Sequence, residues 1–445
     1  LTGLGIYQNY YRTALEKLRV QFHVFRVGRY KSALEPVLRD EMSDFDREAN
    51  SAVLSVLWSA YTSDVAALRS VDPKLLDDYI NNFPAHLASA GGQMGALALK
   101  HHLVDGLKTR DELREELTRL VGEDQKYGTF NQVGLTDYVK AVRASSPAAE
   151  KEEKIGLIVA QGMLLEGSQP AGKIGGDSLS ALIRQVRRDS RIRALVLRID
   201  SPGGSAFASD QIRRELELTR LSGLPVVISM SSVAASGGYW IATAADEIWA
   251  SPTTLTGSIG IFSAFPTFEK ALDAIGIRND GIGTTRLADA FNPYRPMNPL
   301  LARSLEQLMQ QGYRVFIDRV AAGRNMPASE VEKIAEGRVW AGQHALAIGL
   351  VDRLGHTRDA IAAAAQRAGL ERYQIELIQP PLTRREQLLK HIDDLVTTVW
   401  KSVRSHLLPA EAAWLKTHSP FPEAEMLELK DPGGLYAYCL NCGSL

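Results

Sequence analysis

The segment Ser231-Ser232-Val233-Ala234-Ala235-Ser236-Gly237-Gly238-Tyr239-Trp240 places a serine between small residues and a pair of glycines. The apolar run PVVISM precedes it and reads as a strand, and a helical pattern follows, so Ser236 falls where a strand gives way to a helix. A hydroxyl there can be exposed for attack, with the next amide free to receive an oxyanion. The same position also suits an N-cap serine, whose hydroxyl would satisfy a helix amide instead. Upstream, the strand-like IRALVLRID runs into Ser201-Pro202-Gly203-Gly204-Ser205. Two glycines at a strand-to-helix turn let backbone N–H groups face a cleft with no side chain in the way, which is how an oxyanion hole is built; an ordinary tight turn uses the same residues. The G-x-S-x-G elbow of the α/β-hydrolases is excluded, because position 234 is Ala.

A serine nucleophile needs a base. None of the nine histidines lies in a stretch shaped like a catalytic loop: His23 sits in the strand-like FHVFRV and His101-His102 in a helical pattern, both structural settings. Lysine can serve when burial lowers its pKa enough to leave a neutral amine. Lys31, in FRVGRYKSALEP, follows an apolar strand within a Gly-containing turn and is the candidate. Taken alone, a lysine is a surface charge, since lysines are rarely buried.

The elements that must hold these residues are legible as alternation. IGLIVAQ, IRALVLRID, PVVISM and EIWAS are short β-branched runs, separated by the amphipathic SLSALIRQVRRD and DQIRRELELTRL. Continuous apolar runs between helices predict strands buried on both faces, hence a mostly parallel α/β fold. The composition, 45% hydrophobic and 23% charged with a net charge of −1, is that of a globular chain without a basic stripe, which argues against nucleic acid as a partner. No uninterrupted apolar run approaches the roughly 20 residues of a membrane span. Cys439 and Cys442 form a single C-x2-C, half of a four-ligand zinc site, so a free or locally paired thiol couple is expected, with no metal and no cofactor. From about residue 385 to 408 one amphipathic helix is predicted, packing on the body, on another subunit or on a membrane surface.

The chain also repeats itself. LTGLGIY at 1–7 returns as LTGSIGIF at 255–262, HVFRVGRYKSA aligns with RNDGIGTTRLA through Gly28 and Gly283, and GGQMGALALKHHLVDGL answers AGQHALAIGLVDRLG. The same offset puts Arg286 where Lys31 stands, and an arginine cannot act as a base at neutral pH. The second copy thus has a serine without its own base. The expected organisation is the later part of a first repeat at 1–142, a charged Ala/Ser-rich linker at 143–154, a second repeat at 155–372 and a helical tail with the C-x2-C at 373–445. The first copy lacks the stretch that precedes LTG in the second, and the chain starts at Leu1, so the natural protein is expected to begin further upstream.

Several of these segments, RVGRYKSALEP, IDSPGGSAFASDQIRRE, VAASGGYWIATAADEIWASPTTLTGSIGIF, RVWAGQHALAIGLVD and YCLNC, together resemble the bacterial signal peptide peptidase A (protease IV) family in its long, duplicated form. The resemblance implies a crotonase/Clp-protease-like fold of ββα repeats and a serine endopeptidase with a Ser-Lys dyad divided between the copies. It further implies signal peptide remnants as substrates, and a homotetramer anchored in the inner membrane with its catalytic part on the periplasmic side; the anchor is expected upstream of this chain. Carried onto these residues, the nucleophile is Ser236 and the general base Lys31. Ser258, in LTGSIG, matches the hydroxyl that hydrogen-bonds the lysine, and the oxyanion donors fall on Gly237 and on Gly204, in preference to Gly203. The rival expectation is a crotonase-type acyl-CoA enzyme, which would use the same S-P-G-G loop to polarise a thioester and would need no Ser-Lys pair.

Overall fold

The computed structural model describes residues 2–145, 153–170, 172–380 and 436–438. These residues fall into two compact units, one comprising Leu1–Gly5 and Leu57–Glu152, the other Ile6–Val56 and Glu153–Leu445. The larger unit therefore takes in a stretch from the front of the chain that includes Lys31. It opens with α1 (Arg12–Lys17), β1 (Gln21–Val27) and α2 (Glu35–Leu38), followed by α3 (Asp44–Arg69), which runs on into the smaller unit.

The smaller unit continues through α4 (Pro73–Asn81), α5 (Phe83–Ser89), α6 (Met94–Lys100), α7 (Arg110–Val121), the pair β2 (Glu123–Asp124) and β3 (Thr129–Phe130), and α8 (Leu135–Ser145). Tyr79 is its buried aromatic, packed edge-on against the His101 ring. His101 and His102 lie just past the end of α6, with His102 in left-handed backbone, rather than within a helix. By length and composition alone α3 could cross a membrane. It is not an uninterrupted apolar run, because serine, threonine, asparagine and Asp64 stand among its apolar residues.

The remainder of the larger unit begins with β4 (Lys154–Gln161), β5 (Leu164–Leu165), β6 (Ile174–Gly175) and α9 (Gly176–Arg188). A second pass gives β7 (Ile192–Ser201), β8 (Gly203–Ser205) and α10 (Ala206–Leu221). A third gives β9 (Val226–Ala235) and α11 (Gly237–Ala242), then β10 (Glu247–Ala250), β11 (Leu255–Gly257), β12 (Ile261–Thr267) and α12 (Glu269–Ala274). After these come α13 (Pro299–Arg324), α14 (Ala328–Ile334), β13 (Val339–Ala341), α15 (Gly342–Ala347), β14 (Arg353–Leu354), α16 (Thr357–Arg367), β15 (Gln374–Leu377) and β16 (Tyr436–Tyr438). Residues 374–377 are thus a strand. The amphipathic segment expected beyond 385 and the cysteines at 439 and 442 lie outside the described residues.

One sheet runs β13-β11-β9-β7-β4-β15, with β10 and β14 branching from β9. All its pairings are parallel except β11 with β13. A second sheet runs β1-β12-β16-β8-β5-β6. In the first two passes a long strand of the first sheet is followed by one or two short strands of the second and then a helix, while in the third β9 runs directly into α11. This is the expected ββα pattern of the α/β class.

The apolar run of β7 explains its place. Leu195, Leu197 and Ile199 enter the large core with Leu179, Ile183 and Val186 of α9 and Ile212 and Leu216 of α10. The alternate residues Ala194 and Val196 pack on the other face with Ala360, Ile361 and Ala364 of α16. A strand covered on both faces has no polar side to display, which is why its sequence does not alternate.

Candidate active site

Ser236 stands between β9 and α11, where the strand must turn sharply into the helix. Its backbone takes φ 55° and ψ −114°, outside the regions a serine ordinarily occupies. Such a conformation costs on the order of 1–3 kcal/mol and persists only when its surroundings fix it. Here Ser236 N–H donates to the Gly257 carbonyl at 2.8 Å, and the Ser236 carbonyl accepts from Trp240 N–H at 2.8 Å. Gly238 lets α11 approach closely, since a Cβ there would meet the Ser201 carbonyl at 2.9 Å. Ser236 occupies the N-cap position, yet its side chain caps nothing. Its hydroxyl points at Lys31 instead.

Lys31 follows β1 through the turn at Gly28, which has φ 113°. The turn is held by Arg26, whose Nη1 donates to the Lys31 carbonyl at 2.9 Å. The lysine side chain is 2% exposed. Its Nζ lies 2.8 Å from Ser236 Oγ, 3.1 Å from Ser258 Oγ and 3.1 Å from the Ser258 carbonyl. Among the described residues no carboxylate bonds this amine. Burial alone pushes its pKa down from 10.5 to about 7.

Three oxygens around Nζ can be served by the three N–H groups of a charged amine or by a neutral one, and the two use them differently. A neutral lysine has two N–H donors and one lone pair, and three oxygens surround it. The Ser258 carbonyl can only accept, so it takes one N–H; the Ser258 hydroxyl takes the other. With those two bonds made, the lone pair of a neutral amine would face Ser236 Oγ–H, whereas a charged amine donates to all three oxygens. Ser258 is held for this by its own left-handed backbone, φ 52°, and by its N–H, which donates to the Arg338 carbonyl at 2.7 Å.

The five glycine and serine positions singled out around the lysine are not all joined in the same way. Lys31, Ser236 and Ser258 are in direct contact. Gly237 is the first residue of α11, so its amide has no preceding helical carbonyl to bond. Gly203 gives its amide to Ser201 Oγ at 3.2 Å. Gly204, with φ 151°, pairs with Leu164 of β5, and a Cβ there would meet the Leu164 carbonyl at 2.1 Å. The S-P-G-G segment is thus partly a strand, β8, rather than a turn alone. His23, a possible rival base, is spoken for in β1, its Nε2 3.0 Å from Thr267 Oγ1.

Beside this cluster the second sheet contains a single-strand slot. β12 and β8 do not pair with each other; β16 lies between them, antiparallel to both, with Tyr436 opposite Phe262 and Ser205, Ala437 opposite Gly204 and Tyr438 opposite Gly203. Sequence reasoning gave no hint of this strand. It also missed the Glu336-Gly337-Arg338 turn that backs Ser258; the only available signal was a glycine ahead of a short apolar run.

Comparison with known proteins supplies the family. The model for Peptidase family S49 matches residues 1–123 and 219–371. Protease 4 of Salmonella typhi is 38% identical over 445 residues, covering all of this chain and 71% of that protein. Protease 4 of Haemophilus influenzae is 34% identical, covering all of this chain and 72% of that one. The chloroplastic serine protease SPPA of Arabidopsis thaliana is 30% identical over 92% of this chain and 60% of its own length. A match across both parts of the chain, with relatives alike along its whole length, means that the chain belongs to peptidase family S49, with the signal peptide peptidase A (protease IV) enzymes.

Proposed function

We propose that this serine peptidase cleaves peptides with Ser236 as nucleophile and Lys31 as general base. The observation that carries the reading is a buried amine, its pKa near 7, 2.8 Å from a buried serine hydroxyl. As Ser236 Oγ attacks the peptide carbonyl carbon, Lys31 Nζ takes the hydroxyl proton. The carbonyl oxygen becomes an oxyanion, met by the amides of Gly237 and Gly204; Gly203 is the lesser candidate because its amide already serves Ser201. Collapse of the tetrahedral intermediate breaks the C–N bond, and the lysinium returns its proton to the departing amine. Water then attacks the acyl-enzyme while Lys31 accepts its proton, and Ser236 is regenerated as the acid product leaves. Ser258 aims the amine throughout.

The substrate backbone lies extended in the slot between β8 and β12. Support comes from β16, an extended segment of this chain that already pairs with both edges. Signal peptide remnants at a membrane are the substrates that the family suggests, along with a homotetramer on the periplasmic face of the bacterial inner membrane and a dyad drawn from two repeats. An acyl-CoA enzyme would have no use for the Ser236–Lys31 contact, and family membership speaks against it.

The test is kcat/KM against pH, on a peptide without ionisable groups, for the wild type and Lys31→Arg, with fluorophosphonate labelling alongside. Labelling confined to Ser236 and loss of activity in Lys31→Arg are expected. Substantial activity in Lys31→Arg with an unchanged acid limb would refute the dyad.

A further inference from the structure

We propose that the turn Glu336-Gly337-Arg338 is a positioning element that fixes Lys31 against Ser258, and that Gly337 is a glycine because the lysine backbone leaves room for nothing larger. The inference rests on Lys31 being the base. Three strand-to-turn segments meet here backbone to backbone. The Glu336 carbonyl accepts from Tyr30 N–H at 2.9 Å, Gly337 N–H donates to the Ile259 carbonyl at 2.8 Å, and the Arg338 carbonyl accepts from Ser258 N–H at 2.7 Å. Consecutive residues of one turn thus hold the residue before Lys31, Ser258 itself and the residue after it. The contact distances leave no slack. A Cβ on Gly337 would lie 2.7 Å from Lys31 N and 2.8 Å from both its Cα and its Cβ. A Cβ on Gly28 would in turn meet the Glu336 carbonyl carbon at 2.5 Å.

Glu336 and Gly337 both have positive φ, 53° and 80°, so two successive residues carry strained or glycine-favouring backbone to make the turn. Side chains then lock it to the lysine's own loop. Arg29 is paired with Glu336. Arg338 lies over the Tyr30 ring at 4.9 Å and the Trp340 ring at 4.4 Å, and its Nη1 bonds Glu48 at 2.6 Å.

These charges face each other and not the amine. Arg26 bonds the Lys31 carbonyl and is ion-paired with the buried Glu35, and Asp46 accepts from Ser32 Oγ. The lysine's lowered pKa comes from burial alone. Anything that displaces its backbone and admits water therefore moves the pKa upward, towards the solvent value.

The experiment is the pH dependence of fluorophosphonate labelling and of kcat/KM for Gly337→Ala. The acid limb is expected to move up by half a pH unit or more, so that activity at pH 7 falls about twofold or more and is largely recovered in alkali. A merely structural lesion would lower the whole profile without moving its midpoint. Gly349→Ala is the control: its φ of 79° imposes the same backbone strain, but its Cβ would meet only Met326 Sδ, at 3.6 Å. Its midpoint should match wild type. If Gly337→Ala does not fold, Arg338→Met decides, since it loosens the turn without inserting an atom and should shift the limb in the same direction by less. An unmoved midpoint in the folded variant overturns the positioning role, whereas activity in Lys31→Arg overturns the dyad instead.

Discussion

Lys31 Nζ and Ser236 Oγ lie 2.8 Å apart although 205 residues separate them along the chain. Each is delivered by a strained or glycine-dependent turn, and among the described residues Lys31 makes no ion pair that would hold it there.

Ser236→Ala should lower kcat by roughly a thousandfold or more, since the proposed attacking atom is gone. The fold should survive, because only one buried oxygen is removed. Turnover of the purified variant and its thermal melt are the measurements. Wild-type turnover would place the nucleophile elsewhere.

Activity should rise with pH through about 7, because the lysine accepts a proton only when neutral and burial sets that pKa. A substrate without ionisable groups isolates the enzyme's limb in kcat/KM. A limb at the solvent value of lysine would mean that the amine is hydrated in the free enzyme.

Ser258→Ala removes one of the two acceptors that orient the amine, leaving the Ser258 carbonyl in place. We expect kcat to drop by roughly tenfold to a thousandfold with a smaller change in KM, since this hydroxyl is bonded to the amine it orients. Steady-state kinetics decide it; equal effects on both constants would contradict an orienting role.

Lys31 should also cost stability. Its folded pKa, about 7, lies below its unfolded value of 10.5, so below pH 7 the folded state must bury a charge that the unfolded chain solvates. The full penalty, on the order of 5 kcal/mol, applies below pH 7 and is relieved as pH rises from 7 towards 10.5. Lys31→Met avoids it. Its stability relative to wild type should therefore be greatest near pH 6 and shrink by pH 10, as read by urea midpoints at both. A pH-independent difference would show that the lysine is not depressed.

If the slot between β8 and β12 receives substrate, the chain's own β16 competes for it. Ala437→Pro removes a backbone N–H from this strand and should weaken its pairing with Gly204. KM for a peptide is expected to fall while kcat stays the same. An unchanged KM would mean that substrate binds elsewhere.

The sequence alone determined the features that depend on short-range pattern. The unbroken apolar run of β7 announced a strand covered on both faces, and small residues followed by two glycines marked Ser236 at a strand-to-helix junction. Whether that serine caps its helix or attacks a substrate was open, because both roles use the same local residues; the tertiary structure turned the hydroxyl away from the helix amides and towards Lys31. Lys31 could be named from its turn and from family likeness, but burial is a property of everything packed around a group. The amine's depressed pKa depends on segments near 31, 236, 258 and 337 meeting in space, and no local periodicity encodes that meeting. The same holds for β16, a three-residue strand given its place by the open edges of β8 and β12. It holds too for Gly337, whose missing side chain makes sense only once the Lys31 backbone is found against it.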